Sequence, residues 1–509
     1  MEKVGYSALV DQYGLRTLPH YRTSEISGAA RGHQLVETAA PPAHYRFETR
    51  YRPEPTLAGQ LEFALKYEGV NLEILDALFE ATGPAEIEAW LKRAPSSAYA
   101  RRIGFLYEWL RGEELQLDAP PNDRYIELLD PERYVVASNP GREPRFRVLN
   151  NLPGTRQFCP LVRRTKIIAD YEAKNIAEQV RSLIESKSKR LIERAVAYLY
   201  VKETQSSFGI EREKPSQDKA ERFVDLLSRA SSMKEITYDL LIDIQNLVMD
   251  KRWWEGTYRR KQSWLGEVLG EHRRKVAYIP PAAKDVEDLM EGVLKYITRS
   301  LKGTSNVVAC TAAASFGFVY VHPFMDSNGR IHRFLIHYML ENGSFTPKNT
   351  IIPVSAGMLA DLEGYNDALE LFSNAMMREV KYRWIDDELE VSGNIARYYR
   401  FFDATGQTEY LYSAIERAVH GDLAQEIEYL IATDKARQEI GRFLDLPGKD
   451  LDLLIRVVAE QRGGLSQTKR ESHFSQLRPD EIEKVEQIVR ESFQAYEELK
   501  GRSAERVQT

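Results

Sequence analysis

The feature that most constrains the fold is a stretch of small and apolar residues at positions 307–320, followed closely by a second helical stretch. The first stretch is rich in Ala, Val and Phe and contains no charged residue. A helix that is apolar all round must be buried among other elements. The second stretch has a core stripe at helical spacing, formed by Ile331, Phe334, Leu335, Tyr338 and Met339. The sequence therefore predicts a buried helix, a short loop and a second helix at the centre of a helical domain.

The loop between these two helices has the composition of an anion site. Ser327, Asn328 and Gly329 lead into the second helix, and the first N–H groups of a helix lie at the positive end of its dipole. Arg330 and Arg333 follow one turn apart, on a face other than the core stripe. Their guanidinium groups suit phosphate oxygens. We therefore expect this loop to bind a phosphate-bearing ligand.

Two residues that precede this anion site suit catalysis. Asp326 offers a hard oxygen ligand for a Mg²⁺ ion that is already bound to phosphates. His322 titrates near neutral pH when unperturbed, so it can take a proton from an incoming hydroxyl. Together these residues predict the attack of a hydroxyl on a nucleotide phosphate. The alternative is a plain helix–loop–helix with surface charges, and it requires separate polar residues to fall into these roles by chance.

The stretch from His322 to Arg333 resembles the core motif of the Fic family, HxFx(D/E)GNGRxxR. The matching residues are His322, Phe324, Asp326, Asn328, Gly329, Arg330 and Arg333. The resemblance implies a small all-helical core that transfers AMP from Mg-ATP to a Ser, Thr or Tyr hydroxyl of a protein. It also implies His322 as the base and Asp326 as the Mg²⁺ ligand, with Arg330 taking part in catalysis.

The resemblance assigns the remaining motif residues to binding and support. Asn328, Gly329 and Arg330 are expected to bind the phosphates, and Arg333 to support the terminal phosphate. Phe324 is expected to anchor the loop in the core. The chain departs from the motif at Ser327, where the family usually has Gly. A serine there is strained if the position needs a positive φ, although its hydroxyl can donate to a phosphate, so Ser327 is counted among the ATP-binding residues.

A second short motif lies upstream, between residues 206 and 212. Ser207 and Glu211 match the inhibitory motif (S/T)xxxE(G/N) of Fic proteins, in the subclass where it precedes the core, while Arg212 replaces the usual Gly or Asn. The resemblance implies that Glu211 neutralises Arg330, so that ATP binds with its α-phosphate misaligned for attack. A glutamate on a solvated helix end is the alternative interpretation.

The segment at about 256–280 lies where Fic proteins place a β-hairpin flap that aligns the target by strand addition. Its basic residues favour an acidic target, or they simply lie on the solvated surface of a hairpin. The basic residues are Arg259, Arg260, Lys261, Arg273, Arg274 and Lys275.

The whole chain is predicted to be mainly α-helical, with a small α+β accessory module and a helical C-terminal region. Residues 165–204 read as one long charged helix, and Pro479 as the first turn of another. Strands are expected at 125–129, 134–136 and 145–149. The predicted segments are an arm at 1–55, the accessory module at 56–160, the core at 161–380 with its inhibitory helix at about 165–212, and a helical domain at 381–509.

The composition of the chain limits the cellular compartment and the classes of binding partner that we expect. The chain has 509 residues, of which 43% are hydrophobic and 29% charged, as in ordinary globular proteins with several cores. Its net charge of −6 disfavours a general nucleic-acid footprint. Apolar runs are too short to span a membrane, and two distant cysteines, Cys159 and Cys310, fit a reducing cytoplasm. We therefore expect a cytoplasmic protein without membrane partners.

Several alternatives stay open from the sequence. The same loop can transfer UMP or another nucleotide, and Glu211 can position a water that removes AMP from a modified protein. An alternative from a different functional class is a non-catalytic nucleotide sensor or transcriptional adaptor, in which residues 57–150 contact DNA. The protein target is unidentified, and self-modification and a homodimer are both left open.

Overall fold

A computed structural model describes residues 2–36, 42–117, 124–270 and 273–507. It is mainly helical with small sheets, as the sequence predicts. The helices are α1 (Tyr6–Tyr13), α2 (Leu57–Phe63), α3 (Leu72–Thr82), α4 (Ala85–Arg93), α5 (Ala98–Arg111), α6 (Lys166–Lys174), α7 (Ile176–Glu185), α8 (Lys189–Ile210), α9 (Gln217–Ser228), α10 (Tyr238–Val248), α11 (Val286–Lys302), α12 (Val307–Val321), α13 (Asn328–Asn342), α14 (Val354–Leu359), α15 (Leu362–Glu379), α16 (Ala396–Arg400), α17 (Thr405–Ala418), α18 (Ala424–Ile440), α19 (Gly448–Glu460), α20 (Gln467–His473) and α21 (Pro479–Val507).

The strands form four small sheets within the described residues. The strands are β1 (Glu2–Val4), β2 (Arg22–Ile26), β3 (His33–Val36), β4 (Ala43–Phe47), β5 (Ile126–Glu127), β6 (Gly141–Glu143), β7 (Val148–Asn150), β8 (Leu265–Gly270), β9 (Arg273–Tyr278), β10 (Lys381–Ile385) and β11 (Glu388–Ser392). Strands β8 and β9 form the antiparallel hairpin expected at 256–280, and its turn at 271–272 lies outside the described residues. A second antiparallel hairpin, β10–β11, was not predicted.

The chain divides into two compact units that are discontinuous in sequence. The first unit contains Met1–Asp170, Met233–Gly343 and Tyr365–Tyr410, and the second contains Tyr171–Ser232, Ser344–Gly364 and Leu411–Thr509. These units do not coincide with the four successive segments predicted above. None of the helices in the described ranges is both long and apolar enough to cross a membrane.

The N-terminal segment of the first unit is a small mixed sheet rather than an arm. The strand order is β1-β2-β4-β3, with β2 and β4 parallel and the other two pairs antiparallel. Helix α1 buries Tyr6 and Leu9 in one core with helices α2 to α5. The strands have at most five residues and few apolar ones, so their alternation gave no signal in the sequence.

The accessory strands are only partly as expected. Strands β5 and β7 overlap two of the three predicted stretches and pair in parallel, and β6 pairs with β7. The third stretch, 134–136, holds only an isolated bridge between Tyr134 and Arg163. Its side chains are buried and apolar, which produced the strand-like pattern without a paired strand.

The central helix–loop–helix is confirmed. Nearly every residue of α12 is buried, and the helix packs against α11 and α13. Helix α13 is also enclosed, so its charged and polar residues lie inside the protein. His332 is one example: its Nδ1 lies 2.7 Å from the Ser315 carbonyl oxygen, and its ring contacts Phe316. His332 is therefore a structural residue and not part of a helix surface.

The charged stretch of residues 165–204 is three helices, so the prediction of one long helix was wrong. Asn175 takes the left-handed conformation (φ 48°) between α6 and α7. Helix α8 starts afresh after Ser188, whose Oγ accepts the Leu191 N–H. Charge and helical periodicity continue across both breaks, and this continuity hid them.

The second unit is built around two helices. Helix α8 packs against α9, α14 and α18. Helix α18 packs in turn against α19 and α21, where Phe474, Val489 and Phe493 belong to one hydrophobic core. Pro479 is the first residue of α21, as predicted.

Candidate active site

The loop between α12 and α13 is held closed by a side chain of the motif itself. The Oδ1 atom of Asn328 accepts the Phe324 N–H at 3.0 Å, and its Nδ2 donates to the Phe324 carbonyl at 2.8 Å. Phe324 is fully buried, with its ring 5.5 Å from that of Tyr258 in an edge-on arrangement. Phe324 therefore lies where an apolar anchor is expected. Since the Asn328 side chain is engaged with the loop, we expect this residue to meet a phosphate through its backbone N–H.

His322 is oriented with one ring nitrogen committed. It follows α12 in a left-handed conformation (φ 51°, ψ 58°), and its Nδ1 lies 3.3 Å from the Val319 carbonyl oxygen. A carbonyl oxygen only accepts hydrogen bonds, so this contact places the proton on Nδ1 and leaves the lone pair on Nε2. Burial lowers the pKa of His322, the positive charge of Arg259 acts in the same direction, and the resulting pKa is about 4. The imidazole is neutral at neutral pH, as a base must be.

The lowered pKa of His322 predicts the pH dependence of any reaction in which it is the base. Only the neutral form accepts a proton, so activity should fall as the pH drops through the pKa, which is about 4, and not through the ordinary value of about 6.5. We expect kcat/KM to stay level down to about pH 5. Rates measured in constant-ionic-strength buffers check this expectation. An acid limb centred near the ordinary value would contradict the assigned environment.

The residues of the predicted anion site lie close to one another, and both arginines are more deeply buried than predicted. Asp326 is largely exposed, and its Oδ1 accepts the Ser327 N–H and lies 3.2 Å from an Arg330 nitrogen. The Arg330 side chain is buried and also donates to the Val248 carbonyl of α10 at 3.3 Å. Arg333 is 1% exposed. The two guanidinium groups therefore supply positive charge from within the protein and are not a surface pair.

Ser327 has a positive φ. This is the condition under which a serine in place of the usual Gly was expected to be strained. Its φ is 73°, in the left-handed region, immediately before α13. Its Oγ is buried and has no hydrogen-bond partner among the described protein residues. A ligand at the start of α13 is the natural partner for this hydroxyl.

Replacing Ser327 by Gly should stabilise the protein slightly. Relief of the left-handed strain contributes about 1–2 kcal/mol, and the greater freedom of Gly in the unfolded chain removes about 0.5–1 kcal/mol. We expect a net gain of up to about 1 kcal/mol in the free energy of unfolding, measured by urea denaturation. Ser327→Ala is the control, because it removes the hydroxyl and keeps the strain. Equal stability of the two variants would contradict the strain argument.

Three residues in the segment 255–259 contact the loop and hold it in place. The sequence did not indicate this role for them. Glu255 accepts the Met325 N–H at 3.0 Å, and burial raises the pKa of this carboxyl group. Tyr258 packs on Phe324 as described above. Arg259 is 3% exposed and donates from Nε to the His322 carbonyl at 2.8 Å. These contacts join positions more than sixty residues apart, so local patterns carry no signal for them.

The burial of Arg259 corrects one interpretation of the basic flap residues, because a buried guanidinium group cannot select an acidic target. Arg274 is engaged as well, since it lies 4.1 Å from the centre of the Trp384 ring and pairs with Asp387 at 2.7 Å. Of the remaining four, Arg260, Lys261 and Lys275 are exposed, and the side chain of Arg273 lies outside the described part. Strand β8 exposes Val268 and Leu269, so the described flap surface carries apolar as well as basic side chains.

The candidate inhibitory residues Ser207 and Glu211 lie in the second unit. Ser207 is buried in α8, and Glu211 is an exposed residue at the end of that helix. The next residue, Arg212, has a φ of 57°. This left-handed position explains in physical terms why Gly or Asn is usual there. The backbone around Glu211 is fixed, because the N–H groups of residues 211 to 213 all donate to carbonyls of the last helical turn.

The fold and the site together define a mainly helical protein with a tight turn between two buried helices, next to a neutral histidine and an exposed carboxylate. Residues 235–340 match the model of the Fic/DOC family. The chain therefore contains a Fic/DOC family domain.

Curated relatives agree with this assignment at a distance. The chain is 27% identical to the protein adenylyltransferase Fic of Drosophila sechellia over 185 residues, which cover 36% of this chain and 30% of that protein. The values for the Drosophila melanogaster protein are the same. For the Drosophila ananassae protein, identity is 29% over 98 residues, or 19% of this chain and 17% of the relative. The chain thus spans less than a third of the length of these relatives.

Solved structures of Fic proteins are also similar to parts of this chain. One is a Fic family protein from Desulfovibrio desulfuricans G20, with 17% identity, a TM-score of 0.35, and coverage of 61% of this chain and 84% of that one. Another is a Fic domain containing signaling protein from Bacteroides thetaiotaomicron, with 16% identity, a TM-score of 0.36, and coverage of 50% and 96%.

Proposed function

We propose that the protein is an adenylyltransferase that moves AMP from Mg-ATP to a Ser, Thr or Tyr hydroxyl of a protein. The observation that carries this proposal is the orientation of His322. Its Nε2 lone pair is available on a neutral ring, at the entrance of a loop that ends in the first turn of α13. Members of the Fic family are typically nucleotidyltransferases that use Mg-ATP, and this chain is distantly related to the adenylyltransferases named above.

The residues of the loop fit a nucleotide that arrives with its metal. Asp326 presents an exposed carboxylate beside the buried Arg330. One or two carboxylates together with substrate phosphates are the usual environment of Mg²⁺ in such sites. Among the described residues, no group of three or more Asp, Glu, His or Cys side chains is placed to hold a metal. Asp326 is the residue that would hold the ion together with the phosphates, and the ion would screen the charge of the leaving pyrophosphate.

The proposed reaction transfers one proton and exchanges one phosphorus–oxygen bond. The hydroxyl oxygen of the target forms a bond to the α-phosphorus, and its proton passes to Nε2 of His322. The bond between the α-phosphorus and the bridging oxygen to the β-phosphate breaks, and pyrophosphate leaves. The N–H groups of Asn328 and Gly329, the Ser327 hydroxyl and the charge of Arg330 stabilise the phosphates during this step. Arg333 supports the terminal phosphate. Preorganised donors of this kind supply most of the acceleration in comparable sites.

Glu211 is proposed as an inhibitor of this reaction. The chain carries the pattern of Ser207 and Glu211 upstream of the core, and Glu211 lies on a fixed backbone at a helix end. A carboxylate that neutralises Arg330 would remove charge meant for the terminal phosphate. ATP would then bind in a position that is unproductive for attack at the α-phosphorus.

A panel of nucleotides tests the proposed donor. The Glu211→Gly protein is incubated with Mg²⁺ and α-labelled ATP, GTP, CTP or UTP, with itself and a cell lysate as acceptors. We expect label from ATP above all others. Preferential labelling from UTP would replace AMP by UMP as the transferred group. Salt-dependent DNA binding without any transfer would favour the adaptor alternative.

A further inference from the structure

The carbonyl groups at the C-terminal end of α12 need hydrogen-bond donors from outside the helix. The last four carbonyl groups of a helix have no partner within the helix. In α12 the carbonyls of Phe318 and Val319 are met by His322, through its backbone N–H and its Nδ1. This leaves the carbonyls of Tyr320 and Val321, which are both buried residues. A buried carbonyl without a donor costs free energy. The donors that meet these carbonyls therefore determine how rigidly His322, the next residue, is held.

The donors come from the two ends of the β8–β9 hairpin, which we call the flap roots: residues 259–263 and 278–281. Tyr278 donates from its hydroxyl to the Tyr320 carbonyl at 2.5 Å. Arg259 donates to the carbonyls of Val321 at 3.4 Å and His322 at 2.8 Å, and its backbone N–H donates to the Pro323 carbonyl at 2.8 Å. The last two carbonyls of α12 and the two that follow the helix are thus met by the flap roots.

Arg259 also ties the two flap roots to each other. It donates from one terminal nitrogen to the Lys261 carbonyl at 3.1 Å and from the other to the Pro281 carbonyl at 2.6 Å. Gln262 adds a parallel link to the Pro280 carbonyl at 3.0 Å. Burial lowers the pKa of Arg259 to about 10, so it remains charged at neutral pH. One buried guanidinium group therefore contacts the first root, the second root and the residue that carries the base.

We propose that Arg259 is a positioning residue that makes the flap and His322 one rigid assembly, so that a hydroxyl presented by the flap meets Nε2 in register. The proposal rests on the proposed function for its catalytic consequence. A lysine cannot replace this group, because its single ammonium cannot span carbonyls that lie on both roots and on α12. The role is distinct from binding ATP, since the hydrogen bonds that Arg259 makes within the described residues all go to backbone carbonyls of the protein itself.

The test compares Arg259→Met and Arg259→Lys with Arg252→Met, which removes an exposed arginine seven positions upstream that pairs with Asp250. Each substitution is made in the full-length Glu211→Gly protein. We measure amide hydrogen exchange in residues 265–278 and 322–326, binding of Mg-ATP, and kcat and KM for transfer. Tyr278→Phe is the milder variant if Arg259→Met does not fold, because it removes one hydroxyl and keeps the ring.

We expect Arg259→Met to speed exchange in both segments by about tenfold while exchange in α21 stays unchanged. The kcat should fall by about 100-fold, with the affinity for Mg-ATP and its KM within about threefold. Arg259→Lys should lie between Arg259→Met and the parent, and Tyr278→Phe should show the same local pattern more weakly. Unchanged exchange in both segments, or a uniform rise across the protein, would overturn the proposal. Absence of transfer in the parent itself would contradict the proposed function, and the exchange data would still decide whether Arg259 couples the flap to the loop.

Discussion

His322→Ala in the Glu211→Gly protein is expected to lower AMP transfer by about 10²–10⁴-fold, the usual contribution of a general base. The substitution removes the Nε2 lone pair and also the Nδ1–H that meets the Val319 carbonyl. Since no motif residue at the start of α13 is changed, Mg-ATP should bind with similar affinity. Calorimetric titration with Mg-ATP and the rate of label transfer, measured on the same preparation, check both expectations.

The control for this experiment is His473→Ala. His473 is an exposed residue at the end of α20 in the second unit, and its loss should change neither binding nor transfer. If His322→Ala transfers AMP as fast as its parent, His322 is not the base. If it loses Mg-ATP binding as well as transfer, the substitution has disrupted the loop, and His322→Gln, which keeps a polar side chain, becomes the informative variant.

Glu211→Gly is expected to raise transfer by about 100-fold, the cost that misalignment by about 1 Å imposes on a bound substrate. The expectation depends on Glu211 holding the terminal phosphate of ATP away from its productive position. The affinity for Mg-ATP should change less than the rate, because inhibition by misalignment permits binding. Label transfer and equilibrium binding, compared with the unchanged protein, check these two parts separately.

Two matched variants refine the Glu211 prediction. Glu211→Gln keeps the size of the side chain and removes its charge, so it separates neutralisation of Arg330 from occupation of space. Glu213→Gln changes a carboxylate two positions along, which pairs with Lys219, and it should leave transfer unchanged. Activation by Glu213→Gln to the same extent would show that loosening this helix end, and not the loss of Glu211, causes the effect.

Local patterns in the sequence were enough to predict the helix–loop–helix that carries the candidate site. Uniform apolarity predicted the burial of α12, and the core stripe predicted α13. The order of residues from His322 to Arg330 placed the proposed base, the carboxylate and the proposed anion-binding groups on the loop and the first turn of α13. Strain at Ser327 was expected if this position has a positive φ, because a serine replaces the Gly of the motif there. Each of these inferences needs only residues that are close together in the chain.

The features that the sequence did not reveal depend on distant partners. The N-terminal sheet pairs β2 with β4 in parallel, and its short strands have no distinctive pattern. Breaks at Asn175 and before Ser188 interrupt helices whose composition does not change. Arg259 belongs to a run of three basic residues, and nothing in that run shows which one is buried. The need for donors at the end of α12 follows from helix geometry, but the identity of the donors follows only from the fold.

Transfer of label from α-labelled ATP is the most direct test of the central claim, that this loop moves AMP with His322 as the base. The unchanged protein, Glu211→Gly, and Glu211→Gly combined with His322→Ala are each incubated with Mg²⁺ and ATP labelled in the α- or the γ-phosphate. The account predicts that protein-bound α-label appears or rises with Glu211→Gly and vanishes in the double variant, and that γ-label is never retained. Absence of α-label from Glu211→Gly while Mg-ATP binds tightly, or equal labelling of the double variant, would contradict it.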